Sequence, residues 1–211
     1  MINMEGVKNK IHAKKDVSIL MSKVIYKITP DVNHYRVIFP DDETLCESEL
    51  WKPNTSTKES TLINFSAHYN NEKETPIGDM TAINLQGLAI RDHVANELAE
   101  IFEDSGELLP FHVGDDNWYF YNVTRKIEGI LNVDMSTFML PSLNIGLQKA
   151  VFKKEKLPKH SCIFKMPEDL FEGTYVFDSR VNDKDITLNL FCALQAHGFT
   201  GLSFEEVARF D

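Results

Sequence analysis

Between Thr174 and Val207 the spacing of apolar residues changes period twice. Tyr175, Val176 and Phe177 are β-branched or aromatic and suit a buried strand. Ile186, Leu190 and Leu194 then recur at i, i+4 and i+8, with Phe191 beside them, and make one apolar helix face. Asp183 and Asp185 fall at the start, where a carboxylate suits the positive end of the helix dipole. His197 and Gly198 fit the end, since glycine readily takes the left-handed conformation that closes a helix. Leu202, Phe204 and Val207, with charged residues between, read as a further strand, so the chain closes on a strand-helix-strand unit. The same order occurs upstream. Leu88-Ala89-Ile90 reads as a strand and Asp92 as an N-cap. Val94, Leu98, Ile101 and Phe102 form a helical stripe, Ser105-Gly106 ends it, and Leu109 to Val113 is extended. The likeness suggests an internal pseudo-repeat, although capping chemistry alone produces such an order.

Elsewhere short strands separated by turns dominate. Lys23 to Ile28 and Tyr35 to Phe39 are rich in strand formers. Thr29-Pro30-Asp31 between them supplies turn chemistry, which predicts a hairpin. Thr61 to Phe65 reads as a short strand between loops at Trp51–Ser60 and Tyr69–Pro76. Gly114-Asp115-Asp116 makes a turn before the aromatic strand Trp118 to Val123. Ile145 to Phe152 and Cys162 to Phe164 are further strands, flanking a basic loop that carries Lys153, Lys154, Lys156 and Lys159. The expected fold is α+β: mixed or mostly antiparallel sheets, two principal helices at about 92–103 and 185–197, and the C-terminal strand-helix-strand unit. Residues 1–21 read as an N-terminal extension or flexible arm. Residues 22–211 read as a single globular domain, divisible into lobes 22–85 and 86–211.

Composition narrows the function classes. The chain has 211 residues, enough to bury a sizeable core. The formal net charge of -10 argues against nucleic-acid and anionic-membrane binding and permits steering towards a basic partner, solubility alone being the plain alternative. No apolar run is long enough to span a membrane, and no secretory signal is evident. Cys46, Cys162 and Cys192, three and widely spaced, fit free thiols in a reducing cytoplasm. The sequence holds no phosphate-binding glycine loop, no Cys-x-x-Cys and no nucleophile elbow. His160-Ser161-Cys162 is the nearest approach to metal-ligand spacing and lacks partners, so no metal, cofactor or catalytic residue is assigned. Cys162 and Cys192 have apolar neighbours and read as small buried hydrophobes. The aromatic run from Trp118 reads as core.

Several stretches together resemble a known family. They include Gly78-Asp79-Met80, Ile90-Arg91-Asp92-His93-Val94, Leu108-Leu109-Pro110-Phe111, Tyr119-Phe120-Tyr121-Asn122-Val123 and the closing Gly198-Phe199-Thr200-Gly201-Leu202-Ser203-Phe204. Over residues 22 to 208 the chain resembles immunity family eleven of the bacterial polymorphic toxin systems. The resemblance implies a cytoplasmic protein that binds and neutralises a toxin encoded beside it, with no enzymatic activity; it assigns no binding residues. An enzyme whose site is assembled from distant residues, and an adaptor of a secretion apparatus, are the alternatives.

A basic toxin calls for an exposed acidic surface near an aromatic anchor. Asp41, Asp42 and Glu43 form one acidic turn. Asp115 and Asp116, beside Trp118, form another. Glu97, Glu100 and Glu103 give a third acidic face on the first helix. Each also has a plain explanation, as a solvated turn or an outer helix surface.

Overall fold

The computed structural model describes residues 23–46, 64–70, 74–84, 87–167 and 173–210. The expected arm at 1–21, the loop at Trp51–Ser60 and most of the strand expected at Thr61–Phe65 lie outside them. The fold is α+β, as the alternation of periods predicts.

Strands β2 (Ile38–Pro40), β3 (Ser66–Tyr69), β4 (Met80–Ile83), β5 (Gly87–Arg91), β6 (Gly106–Val113) and β7 (Asp116–Val123) close a barrel in the order β2-β3-β6-β7-β5-β4. Its interior is packed with side chains, among them Ile38, Phe65, Phe111, Trp118 and Phe120, so it is a core and not a channel. A second sheet has the order β10-β11-β1-β12, from β1 (Lys23–Pro30), β10 (Cys162–Lys165), β11 (Thr174–Asp178) and β12 (Leu202–Phe210). One face of this sheet, carrying Ile28, Ile163 and Val176, joins a core that includes Ile90, Phe102 and Tyr121 of the barrel half. The other face, carrying Ile25, Phe164, Tyr175 and Phe177, is covered by Ile130, Leu131, Phe138 and Phe152. Part of that cover is a hairpin of β8 (Thr137–Leu140) and β9 (Ile145–Lys149). Residues alternate between the two faces along β10 and β11, as the two-residue period of a strand requires.

Both expected helices occur, and both are interrupted. The first is α1 (Asp92–Glu97) and α2 (Ala99–Ser105), broken at Leu98; the second is α3 (Asp183–Thr187) and α4 (Leu190–His197). The second break has a clear cause. Asn189 is the N-cap of α4, its side chain accepting the Cys192 amide at 3.0 Å. The turn re-phases the stripe, so Leu190 and Leu194 are buried while Ile186 is 49% exposed and leaves the expected apolar face. In the first pair Val94, Leu98, Ile101 and Phe102 are all buried despite the break. Asp92 is not the N-cap; Arg91 holds that position, and the Asp92 carboxylate instead accepts from Asn96 and Tyr119.

The hairpin expected from Lys23 to Phe39 does not form. The turn is present, but β1 pairs with β11 and β12, whereas β2 enters the barrel beside β3 and β4. A line drawn at 85/86 runs between β4 and β5, which are antiparallel neighbours. The pseudo-repeat has a counterpart in topology. In the first unit β7 lies between β5 and β6, antiparallel to both; in the second, β1 lies between β11 and β12, antiparallel to both. The central strand comes after the unit in one case and long before it in the other.

A close backbone crossing joins barrel to sheet. Gly201 has φ +103, and a Cβ there would lie 1.7 Å from the Met80 carbonyl oxygen. The Met80 amide donates to the Thr200 carbonyl at 3.0 Å, and Asp31 N–H donates to the Gly201 carbonyl at 2.9 Å. Gly198 also has positive φ, +69, but a Cβ there meets nothing within 4 Å. Gly201→Ala is therefore expected to cost at least ~3 kcal/mol, combining strain with displacement of backbone. Gly198→Ala should cost ~1 kcal/mol, the conformational term alone. Urea unfolding of the two variants checks this, and equal losses would contradict it.

Candidate interaction surface

The two acidic turns, 72 residues apart in sequence between Glu43 and Asp115, are brought together by barrel register. Pro40 pairs with Ala67, Ala67 with Val113, and Val113 with Asp116. Three strand spacings separate the ends of that row, roughly 14 Å measured along the sheet. A neighbouring row runs from Asp41, whose amide donates to the Ser66 carbonyl at 2.9 Å, through His112 to Asn117. All four residues of this row are exposed, so it lies on the outside of the barrel. Asp41, Asp42, Glu43, Asp115 and Asp116 are all exposed at its ends.

Local partners shape this acidic band. His68 Nδ1 lies 2.7 Å from Asp41 Oδ1, and Arg91 Nη2 lies 3.4 Å from Asp116 Oδ2. Both pairs are largely open to water and add little stability. The Thr44 hydroxyl and amide donate to Asp42 Oδ1 at 2.7 and 2.9 Å. These hydrogen bonds hold the Asp42 carboxyl below its usual range, so it stays charged at neutral pH. Asp115 sits in the tight turn after Gly114, as the sequence suggests.

Trp118 cannot serve as the exposed anchor. It is fully buried, inside the barrel with Phe111 and Phe120. The strand period explains this: Trp118 and Phe120 point inward, while Tyr121 and Val123 face the helices. Arg91 reaches over the Trp118 ring, its guanidinium carbon 5.7 Å from the centroid. Trp118 thus supports the band from beneath. Glu97, Glu100 and Glu103 are exposed on the outer helix surface, with Glu97 Oε1 3.7 Å from His197 Nε2.

Sequence reasoning missed the exposed apolar surface. Met135, Met139, Leu140 and Leu143, between 49% and 68% exposed, cluster on and beside the β8–β9 hairpin. The missing signal is burial, because the same residue types elsewhere form the core.

Three of the stretches named above, residues 78–80, 90–94 and 198–204, meet at the barrel–sheet joint. Asp79 Oδ2 accepts from the Thr200 amide at 2.8 Å and the Thr200 hydroxyl at 2.7 Å; Asp79 Oδ1 lies 3.0 Å from His93 Nε2. Burial opposes ionisation of Asp79, but these hydrogen bonds and the His93 ring outweigh it and lower its pKa. Their geometry is that of a structural clasp.

A second polar cluster is buried between β11 and α4. Arg180 donates to both Asp178 oxygens, at 3.0 and 2.7 Å, and Asn189 donates to Asp178 as well. Asp185, fully buried, accepts from Ser179 Oγ at 2.9 Å and Val181 N–H at 3.1 Å, with His160 Nδ1 at 3.0 Å from its other oxygen. Cys162 is buried, and burial pushes its thiol up to about 11, in keeping with its reading as a small hydrophobe. Cys192 is half-buried. Among the described residues no group of three or more His, Cys, Asp or Glu side chains is placed to hold a metal ion. No described helix is long and apolar enough to cross a membrane.

No family model matches the chain, and no curated protein matches it.

Burial works to raise the Asp185 pKa, but hydrogen bonds from Ser179, His160 and Val181 and the attraction of the His160 ring lower it below the ordinary carboxyl value. A depressed carboxyl contributes stability above its unfolded pKa of about 3.9, and loses it as pH falls through the folded value. Asp185→Asn should therefore destabilise the protein by roughly 3 kcal/mol at pH 7. The gap from the unmodified protein should narrow progressively below about pH 4. Urea unfolding across that range tests this; a gap independent of pH would refute it.

Proposed function

We propose that this chain is a cytoplasmic immunity protein that binds and neutralises a cognate antibacterial toxin stoichiometrically. The resemblance to immunity family eleven motivates the reading. The observation that supports it best is the acidic band, where barrel register gathers five exposed carboxylates from two turns distant in sequence. A standard interface buries about 800 Å² on each partner, a patch roughly 30 Å across. Two turns roughly 14 Å apart along the sheet fit within one such patch. A solid barrel wall carrying negative charge suits a basic protein partner, for which it speeds encounter and disfavours wrong partners. With Trp118 buried, the anchoring contacts come from other residues, and the band supplies steering.

The decisive experiment begins with the neighbouring gene. A toxin-domain product encoded beside this one should copurify with the chain and be lethal to cells without it. An orphan locus, or a neighbouring product that neither binds nor kills, overturns the reading. Within the complex, replacing Asp41, Asp42 and Glu43 by Asn and Gln, or Asp115 and Asp116 by Asn, should slow association about tenfold at low salt. Both changes should flatten its salt dependence and leave dissociation nearly unchanged. Stopped-flow association rates decide the matter. Unchanged rates in both variants would remove the band from the interface and direct attention to the apolar β8–β9 hairpin.

A further inference from the structure

A cleft of about 380 Å³ lies on the opposite charge regime from the acidic band. It opens where the end of α2, the chain after β7, the loop before β10 and α3 meet. Four of its lining residues are basic, Arg125, Lys126, Lys159 and Lys184, and one is a carboxylate, Asp104. That carboxylate is already engaged: Arg125 Nη2 lies 3.0 Å from Asp104 Oδ2 and donates to the Asp104 carbonyl at 2.8 Å. The lining therefore has an excess of cations in a chain whose net charge is -10. Concavity strengthens the field of such a cluster.

His160 also lines the cleft, and its orientation is fixed from behind. Asp185 is 0% exposed and accepts from Ser179 and Val181, which leaves its other oxygen for His160 Nδ1. A carboxylate partner places a proton on Nδ1 and leaves Nε2 as the second ring nitrogen for another contact. The adjoining Ser161 is locked as well. Its hydroxyl donates to the Ser179 carbonyl at 2.8 Å and accepts the Ser179 amide at 3.0 Å. Arg125 and His160 are thus held by hydrogen bonds to other parts of the fold, while Lys159 and Lys184 supply adaptable charge. Ile127, Pro158 and Leu188 add an apolar part to the wall.

We infer that this cleft binds a small phosphorylated metabolite, with its phosphoryl group among the basic side chains and its carbon skeleton against Ile127, Pro158 and Leu188. Its volume falls within the range of small-molecule sites, and the mixed wall suits a ligand with both an anionic and a carbon part. The inference does not rest on the immunity reading, since the cleft and the acidic band are built from different residues.

The test uses the full chain at pH 7 and constant ionic strength. Ribose 5-phosphate and inorganic phosphate are titrated separately, with chloride as the reference salt. The His160 ring resonances are followed by NMR and assigned with His160→Gln. Inorganic phosphate should give a saturable shift with a Kd of the order of millimolar, and ribose 5-phosphate should bind about tenfold more tightly. Combined Lys159→Ala and Lys184→Ala should weaken both by at least about tenfold, since each removes a charge-assisted contact. Both lysines are exposed, so the unfolding midpoint should stay unchanged and serve as the folding control. Shifts that do not saturate, or that match those in chloride, overturn the proposal. So do equal affinities for the two phosphates, which would mark a general anion site, and undiminished binding by the folded lysine variant.

Discussion

The backbone crossing of Gly201 over Met80 is the constraint on which the assembly depends. A barrel and a sheet, each with its own hydrogen-bond ladders, can be joined in many orientations by apolar contact alone, because hydrophobic burial has no direction. Here the joint is directional. A backbone amide of β4 bonds the Thr200 carbonyl, the Asp79 carboxylate takes both the amide and the hydroxyl of Thr200, and Gly201 allows the two chains to approach. Phe199, beside this clasp, packs between His93 and His197 and so ties α1 to the end of α4. The clasp thus sets the depth at which α1, α2 and α4 sit in the shared core around Phe102 and Leu194. It is exposed enough that its hydrogen bonds add only modestly to stability; its contribution is to select one packing among several.

That selection accounts for what was legible in the sequence and what was not. Local period identified β5, β7, β10, β11 and both helical segments, because each signal is contained within a few residues. The first hairpin failed because pairing partners are chosen over long range. Lys23–Pro30 and Ile38–Pro40 satisfy every local rule for a hairpin, yet each gains more elsewhere. β1 becomes the central strand between β11 and β12, and β2 helps to close the barrel. The break at Asn189 is a related case. Read alone, the sequence gives Ile186, Leu190 and Leu194 a continuous helix. The native chain gains more when Asn189 caps a second helix and satisfies the buried Asp178. The break at Leu98 has no comparable side-chain cap, and nothing in the structure explains it.

The candidate surfaces follow the same division. The exposure of Asp41, Asp42, Glu43, Asp115 and Asp116 was legible from turn chemistry, but their union into one band was not, since it depends on the register of β2, β3, β6 and β7. Trp118 shows the reverse. Two residues from an exposed Asp116, it is as deeply buried as any residue in the protein. The two side chains share one face of the strand by parity; what separates them is depth, since Asp116 is the first residue of β7 and Trp118 lies inside the barrel.

Charge is distributed over the fold by the same topology. The barrel places carboxylates at its surface, where, among the described residues, Asp41 is paired with His68 and Asp116 with the half-exposed Arg91. The basic side chains of the cleft come instead from the chain after β7, the loop before β10 and α3, and Asp104 and Asp185 hold Arg125 and His160 in place. A basic protein approaching the band would find the cleft electrostatically repulsive, and an anionic small molecule entering the cleft would find the band so. The two surfaces therefore discriminate against each other's ligands. A chain of strongly negative net charge can hold an anion-selective concavity on these terms only if the cations are concentrated and their neighbouring acids are spent on orientation. That condition is met at the cleft through Asp104 and Asp185.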